Sequence, residues 1–271
     1  MLRETMIGHH VHKPHEFRWR SREISRLEGL SDAVFGFAIT LLIVALEVPK
    51  TSGELLETMR GFAAFALTFG VLYSLWYRQF MFFRRYGLED SPTVALTGGL
   101  LFVVLFFVFP LKFFIGAMVN RLMGGGKTIR LPNGTLERII KPEHVPIMLS
   151  IYAAGLVAIS LIFFLLYYHA YRKRQELDLN ELEVFDTRRS LESLLHIIVI
   201  GCLLIAIAWV GDLTHGKPYD DSATYGSLAA VYGYTAFMIY RTRLWKRRRT
   251  AMVERIKEIA VEGDPGPLLQ S

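Results

Sequence analysis

Six long apolar stretches, separated by short charged segments, constrain the fold of this chain more than any other feature. They lie at Leu30–Val48, Leu56–Tyr77, Thr93–Val119, Val145–Tyr168, Leu191–Val210 and Ala223–Tyr240. Each approaches or exceeds the length of about 20 residues that a helix needs to cross a bilayer. Inside a bilayer the backbone must satisfy its own hydrogen bonds, which favours helices. The sequence therefore predicts an all-α membrane protein with six transmembrane helices per subunit.

Composition narrows the function classes further. The chain is 52% hydrophobic and 21% charged, whereas soluble domains carry about 25% charged residues. Its only cysteine, Cys202, excludes an internal disulfide and a multi-cysteine zinc site. The formal net charge of +6 fits an anionic membrane face better than nucleic acid in so apolar a chain. We therefore expect the lipid bilayer, and not a nucleic acid, as a partner.

The distribution of basic residues predicts the orientation. With the N-terminus inside, 22 of the 31 Lys and Arg residues fall in cytoplasmic segments, and cytoplasmic loops carry such an excess. Both termini are therefore predicted to be cytoplasmic. The expected organisation is a polar basic tail (1–25), a transmembrane domain (26–240) and a basic cytoplasmic tail (241–271).

Two connecting segments carry further expectations. The connection 120–146 is predicted to be extracytoplasmic, and its Pro-Asn-Gly run at 132–134 favours a small β-hairpin. The segment 172–189 is highly charged and helix-prone, which predicts a solvated cytoplasmic extension of the fourth span.

The first apolar stretch is the most informative, because it contains polar residues in a membrane context. Asp32 and Thr40 interrupt it, and ionisable groups within a membrane usually face protein or water. Ser31 and Asp32 are also good helix N-cap residues, so Asp32 could simply cap the helix and pair with Arg26. A helical stripe contains Ala33, Phe37, Thr40, Val44 and then Glu47 or Val48. By physics alone this stripe could be a packing face or the lining of a pore.

The register of these residues strongly resembles the signature of the transmembrane protein 175 (TMEM175) family of endolysosomal and prokaryotic potassium channels. Arg26 precedes Ser31-Asp32 at the start of the first span, and Thr40 follows about two turns later. Trp76 near the end of the second span and Pro110 in the third extend the resemblance.

The resemblance implies a homotetramer in which the first helix of each subunit lines a central pore. It places the hydrophobic constriction at Phe37 and the adjacent hydroxyl layer at Thr40, with Val44 and Ala33 also lining the pore. Such a constriction stands in place of a carbonyl selectivity filter, and the chain contains no Thr-Val-Gly-Tyr-Gly string. The implied signature network, which holds the pore helix, consists of Arg26, Ser31, Asp32 and Trp76. Glu47 is either a pore-facing carboxylate at the outer mouth or an interfacial residue beside Lys50.

The sequence departs from the family pattern at three places that bear on function. Leu30 replaces a Phe before Ser31-Asp32, and Gln79 and Phe80 stand where a histidine often follows the tryptophan. Phe37 replaces the usual Ile or Leu, and four such rings could close the pore more tightly.

The expected function is a potassium-preferring cation channel, with a non-conducting membrane scaffold or sensor of the same fold as the alternative. The permeant potassium ion, or another monovalent cation, is the ligand; no cofactor and no metal site is expected. An enzyme is not expected, since no nucleophile motif or clustered metal-ligand set is present. If the source is prokaryotic, this multi-pass protein is expected in the plasma membrane.

Overall fold

Over the residues that the structure describes, the chain forms long helices and one small hairpin. The computed structural model describes residues 17–21, 23–44, 50–122, 128–130, 135–215, 237 and 240–255. The helices are α1 (Arg26–Val44), α2 (Ser52–Tyr86), α3 (Ser91–Leu122), α4 (Val145–Arg172) and α5 (Glu181–His215). Residues 240–255 are also helical. This architecture confirms the predicted helical fold class.

Three helices within the described residues are long and apolar enough to cross a membrane by length and composition. They are Ser91–Asn120, Val145–Arg172 and Glu181–Trp209. α1 is described over 19 residues, and α2 carries charges at both of its ends. The predicted sixth span, Ala223–Tyr240, lies almost entirely outside the described residues.

The predicted hairpin forms between α3 and α4. Strand β1 (Thr128–Arg130) pairs antiparallel with β2 (Leu136–Arg138), and Thr128 lies opposite Arg138. The Pro-Asn-Gly run lies outside the described residues. A short 3₁₀ turn, Pro142–His144, then leads directly into α4.

Segment 172–189 is not the solvated helical extension that its charge predicts. α4 ends at Arg172, a turn follows, and α5 begins at Glu181. Two residues of this new helix, Glu183 and Thr187, are fully buried. The correction has a physical cause, because these polar groups find partners on distant parts of the chain.

The main core contains residues of all five helices, and its aromatic part lies where the C-terminal ends of α2 and α4 meet. Phe82 and Tyr86 both pack edge-to-face against Tyr167, with ring centroids 5.5 and 5.7 Å away. The Tyr86 hydroxyl lies 2.7 Å from the Thr187 hydroxyl. This buried contact satisfies both polar groups, as burial in an apolar setting requires.

Two glycines serve particular positions in this packing. A Cβ on Gly155 of α4 would lie 2.1 Å from the Phe107 ring of α3, so these helices approach closely only because the side chain is absent. Gly87 follows α2 with φ of +59°, the left-handed conformation that commonly terminates a helix.

Candidate ion-conduction site

Helix α1 has two faces of opposite environment. Phe35, Ala38 and Leu42 are at most 1% exposed and belong to the main core. On the opposite side, Ala33, Phe37 and Thr40 are exposed, and Phe37 is 57% exposed. We call Ala33, Phe37 and Thr40 the open face of α1. Nothing in the described part of this subunit covers the bulky Phe37 ring.

The Thr40 hydroxyl on the open face is oriented by its own helix. Its Oγ1 donates to the Phe37 carbonyl oxygen at 2.8 Å. A hydroxyl has one donor and two acceptor lone pairs. With the proton committed to the backbone, the oxygen presents its lone pairs outward, as a neutral ligand for a cation would.

Two further residues of the predicted stripe cannot be assigned a side-chain position. Val44 is the last residue of α1, and Glu47 lies outside the described residues. Their roles therefore stay predictions.

Two hydrogen bonds that involve residues of the predicted signature tie α1 to α2. Trp76 Nε1 donates to Asp32 Oδ1 at 2.7 Å. Gln79 Nε2 donates to Ser31 Oγ at 3.1 Å, and that hydroxyl donates in turn to the Leu27 carbonyl at 2.9 Å. The structure thus brings Ser31, Asp32 and Trp76 together around one stretch of α2. Asp32 does not act as the N-cap of α1, because the helix already begins at Arg26.

Glu28 adds a third link to α2 that the sequence analysis did not identify. Its carboxylate is buried and lies 3.5 Å from Arg84 Nε. Glu28 stands one helical turn before Asp32, so spacing alone could have placed it beside the signature. Arg26, in contrast, is exposed at the start of α1. We refer to the contacts of Glu28, Ser31 and Asp32 with α2 as the α1–α2 bridge.

The segment that precedes α1 is held by a buried carboxylate on α5. The Glu183 side chain is fully buried and accepts hydrogen bonds from both guanidinium groups of Arg18 and Arg20, the shortest at 2.6 Å. The backbone N–H groups of Arg18 and Asn180 also donate to it, at 2.8 and 3.1 Å. The hydrogen bond with Glu183 is the main reason that the pKa of Arg18 is raised above its ordinary value. We call Arg18, Arg20 and Glu183 the N-terminal clamp.

A second polar cluster joins the start of α3 to the end of α4. Asp90 accepts from Thr93 Oγ1 at 2.6 Å and contacts His169 Nε2 at 2.6 Å and Lys173 Nζ at 3.2 Å. Partial burial disfavours the ionised carboxyl, but these hydrogen bonds outweigh burial and hold the pKa of Asp90 well below its usual range. The carboxylate therefore stays charged at physiological pH.

The far end of α1 has a contact of another kind. Lys112 Nζ on α3 donates to the Leu42 carbonyl oxygen at 3.3 Å. Carbonyl groups in the last turn of a helix lack intrahelical partners, and a cation there is favourable. The contact links α1 to α3 on the side away from the open face.

The described residues contain no group of three or more His, Cys, Asp or Glu side chains that could hold a metal ion. What the site offers chemically is therefore an exposed apolar ring, a neutral hydroxyl oxygen beside it and an anchored opposite face.

Comparison with known proteins identifies a family. Residues 26–108 match the family model described as endosomal/lysosomal potassium channel TMEM175. A potassium channel of Marivirga tractuosa is 36% identical over 190 residues, which cover 69% of this chain and 74% of the relative. A potassium channel of Chamaesiphon minutus is 28% identical over 156 residues, 55% of this chain and 66% of the relative.

A solved structure extends the match to most of the chain. The crystal structure of a variant of the potassium channel MtTMEM175, in complex with a nanobody fusion protein, has a TM-score of 0.70 and 31% identity. The match covers 86% of this chain and 97% of that one. These relatives are channels and not enzymes, as the sequence predicts for this chain. The chain is an integral membrane protein and belongs to the TMEM175 family of potassium channels.

Proposed function

We propose that four copies of this chain form a channel that conducts potassium in preference to sodium. The pore is lined by α1, and its constriction is a ring of Phe37 side chains. The observation that carries the proposal is the contrast on α1 between a fully buried, anchored face and an open face centred on a bulky aromatic ring. The Thr40 hydroxyl lies beside this ring on the same open face.

The apolar ring supplies the gate in this proposal. In a closed cyclic assembly each subunit contributes the same surface, so the Phe37 rings of all subunits would face one axis. A narrow apolar constriction excludes water and thereby blocks ions until it widens. Ala33 is a small residue one turn before Phe37 on the same face, which leaves the pore wider on that side.

The Thr40 layer supplies the ion contact. One neutral oxygen per subunit can replace part of the hydration shell of a monovalent cation without holding it tightly, as conduction requires. Val44 would continue the lining and Glu47 would concentrate cations at the outer mouth. The permeant potassium ion needs no further cofactor.

The remaining features of the proposal concern assembly and placement. The α1–α2 bridge, with Ser31, Asp32 and Trp76, fixes the rotation of α1 so that Phe37 faces the axis. Arg26 would extend this network at the exposed start of the helix. The charge distribution supports cytoplasmic termini, and a multi-pass protein of a prokaryote would reside in the plasma membrane.

The first test is cation flux into liposomes that contain the purified protein, with potassium and sodium gradients compared. Phe37→Ala removes the ring and should raise potassium flux several-fold, because it widens the constriction. Phe102→Ala is the matched control. It removes a ring that is also largely exposed (71%) but belongs to α3 and not to the open face of α1. It should leave flux unchanged.

The same assay separates the channel from a non-conducting scaffold of the same fold. Absence of flux from wild type and Phe37→Ala in an intact tetramer, shown by mass measurement, would support the scaffold. Thr40→Val, with Thr40→Ser as its control, should change the potassium-to-sodium ratio, because only the valine variant loses the oxygen ligand. Equal ratios in all three proteins would remove Thr40 from the pathway.

A further inference from the structure

A large cavity lies beside the helix ends, away from the open face of α1. It has a volume of about 710 Å³, within the usual range of small-molecule sites. Three helical stretches line it: the second half of α2, the start of α5 and the helical residues 246–250, with Tyr167 of α4 at its base.

The charge in this cavity is strongly one-sided. Four arginines and one lysine line it, against one carboxylate, that of Asp186. Arg249 already engages this carboxylate, with Nε 3.0 Å from Oδ1. Within the described part of the chain, neither Arg189 nor Lys246 forms an ion pair with a carboxylate. The cavity therefore holds cationic groups in excess of what its own carboxylate can neutralise.

Two of the other cations are held in place by aromatic rings. The guanidinium of Arg78 lies 5.6 Å from the centre of the Phe163 ring, and that of Arg85 lies 5.0 Å from the centre of the Phe17 ring. Ring contacts position a guanidinium without consuming its N–H donors. These donors stay available to an anion, and a guanidinium is suited to phosphate oxygens in particular.

Helical spacing directs the hydroxyl groups into the same space. Ser190 and Ser193 on α5, three residues apart, both line the cavity, as do Ser74 and Tyr77 on α2. Residues three or four apart share one face of a helix. Ser74 and Ser190 already donate to the carbonyl oxygens of Val71 and Asp186, so the hydroxyl donors left for a phosphate group, beside the guanidinium groups, are those of Tyr77 and Ser193.

The depth of the cavity suits the polar surface of a membrane. Tyr167 lies five residues before the end of α4, and Asp186 lies five residues after the start of α5. At 1.5 Å per residue, both lie about 7 Å from their helix ends. This part of the cavity lies nearer to the helix ends than to the middle of the bilayer, and Ser193 extends the lining to twelve residues from the start of α5.

We propose that this cavity binds a phosphate group, carried either by the headgroup of an anionic phospholipid or by free inorganic phosphate. Basic pockets between membrane helices are suited to such headgroups. A bound phosphate would bridge α2, α5 and the helical residues 246–250 and so stabilise their packing. The proposal does not depend on conduction, because the cavity and the open face of α1 share no residue.

The test measures thermal unfolding of the purified protein in detergent. The three additives are phosphatidylglycerol, phosphatidylcholine and inorganic phosphate, with ionic strength held constant. We expect phosphatidylglycerol to raise the Tm of wild type by several degrees and phosphatidylcholine to leave it unchanged. The double variant Arg189→Gln/Lys246→Gln should lose the rise. The control, Arg243→Gln/Arg247→Gln, removes the same charge from exposed positions of the same helical stretch. Its Tm should still rise with phosphatidylglycerol.

The additives identify the source of the phosphate group. A rise with phosphatidylglycerol alone indicates a lipid headgroup, and a rise with inorganic phosphate as well indicates that the free anion suffices. An equal rise in both double variants would show general surface attraction and overturn the proposal, as would no rise in wild type. If Arg189→Gln/Lys246→Gln does not fold, Ser193→Asp places a carboxylate in the cavity and should abolish the rise; a rise that persists overturns the site.

Discussion

The two ends of α1 are held in different ways. At its N-terminal end, Glu28, Ser31 and Asp32 contact α2 through polar groups, and the preceding segment is clamped to Glu183. At its C-terminal end the buried face is apolar, with Ala38 and Leu42 fully buried and Lys112 contacting the backbone.

This difference bears on how a gate can be built. Polar contacts are directional and fix the rotation of a helix, whereas apolar contacts allow side chains to repack at smaller cost. In the proposed channel, the polar end would set where Phe37 points, and the apolar end would tolerate the movement that widens the constriction. Fixing one end and leaving the other adjustable is consistent with the proposed channel.

The largest effect is expected where the N-terminal clamp loses its charge. Glu183→Gln keeps the size of the side chain but leaves Arg18 and Arg20 without their buried counter-charge. Breaking a buried ion pair in this way costs about 3 kcal/mol or more. Thermal unfolding in detergent should show a clearly lower Tm. Glu181→Gln changes an exposed carboxylate two residues before Glu183 and should have little effect; an equal loss in both would mean that the clamp contributes nothing specific.

A smaller effect is expected in the α1–α2 bridge. The hydrogen bond between Trp76 Nε1 and Asp32 Oδ1 has a charged acceptor, and such bonds contribute about 1.5–3 kcal/mol. Because Asp32 is exposed in the single subunit, we expect the lower end of that range. Asp32→Ala, Trp76→Phe and the double variant form a cycle whose coupling energy measures the bond. Purely additive losses would contradict a direct link between the signature residues.

The pH dependence of the Tm tests the contacts of Asp90, which lie outside α1. The pKa of Asp90 is lowered in the folded protein, so its contribution to stability is present above the ordinary carboxyl pKa of about 4 and is lost as pH falls through the folded value. The Tm of wild type should therefore fall between pH 5 and about pH 3. Asp90→Asn should lower the Tm at pH 7 by a smaller amount than Glu183→Gln. It should also make the Tm depend less on pH below pH 5. If the Tm of wild type and that of Asp90→Asn fall equally below pH 5, carboxylates other than Asp90 determine the loss of stability in acid.

The sequence was a good guide where the relevant residues stand close together in the chain. Ser31 and Asp32 stand in one motif, and the hairpin follows from a local turn signal, so short-range patterns were sufficient for both. The helical fold class followed from hydropathy, which depends on the composition of each segment and not on its partners.

The sequence alone could not predict contacts between residues that are far apart in the chain. Glu183 lies more than 160 residues from Arg18 and Arg20, and its charged surroundings predicted a solvated segment. Only the packing of α2, α4 and α5 brings these groups together and buries them. The cavity beside Arg189 and Lys246 is formed by three separate helical stretches for the same reason. In both cases charge alone favoured solvent exposure.

The smallest predicted effect concerns Gln79, which stands where the family often has histidine. Its side chain is 2% exposed, and it donates to Ser31 Oγ at 3.1 Å. Its Oε1, however, has no hydrogen-bond partner in the described part of the chain. Gln79→Met removes the hydrogen bond and the buried unpaired oxygen together, and Ser31 keeps its bond to the Leu27 carbonyl.

These two changes oppose each other in free energy. Loss of the hydrogen bond costs about 1 kcal/mol, while removal of a buried unsatisfied acceptor recovers a similar amount. The Tm of Gln79→Met should therefore stay within a few degrees of wild type. Gln79→Ala, which leaves a cavity of several atoms, should be clearly less stable. A large loss in Gln79→Met would show that Oε1 has a partner in the assembled channel, and the polar end of α1 would then be anchored between subunits as well as within one.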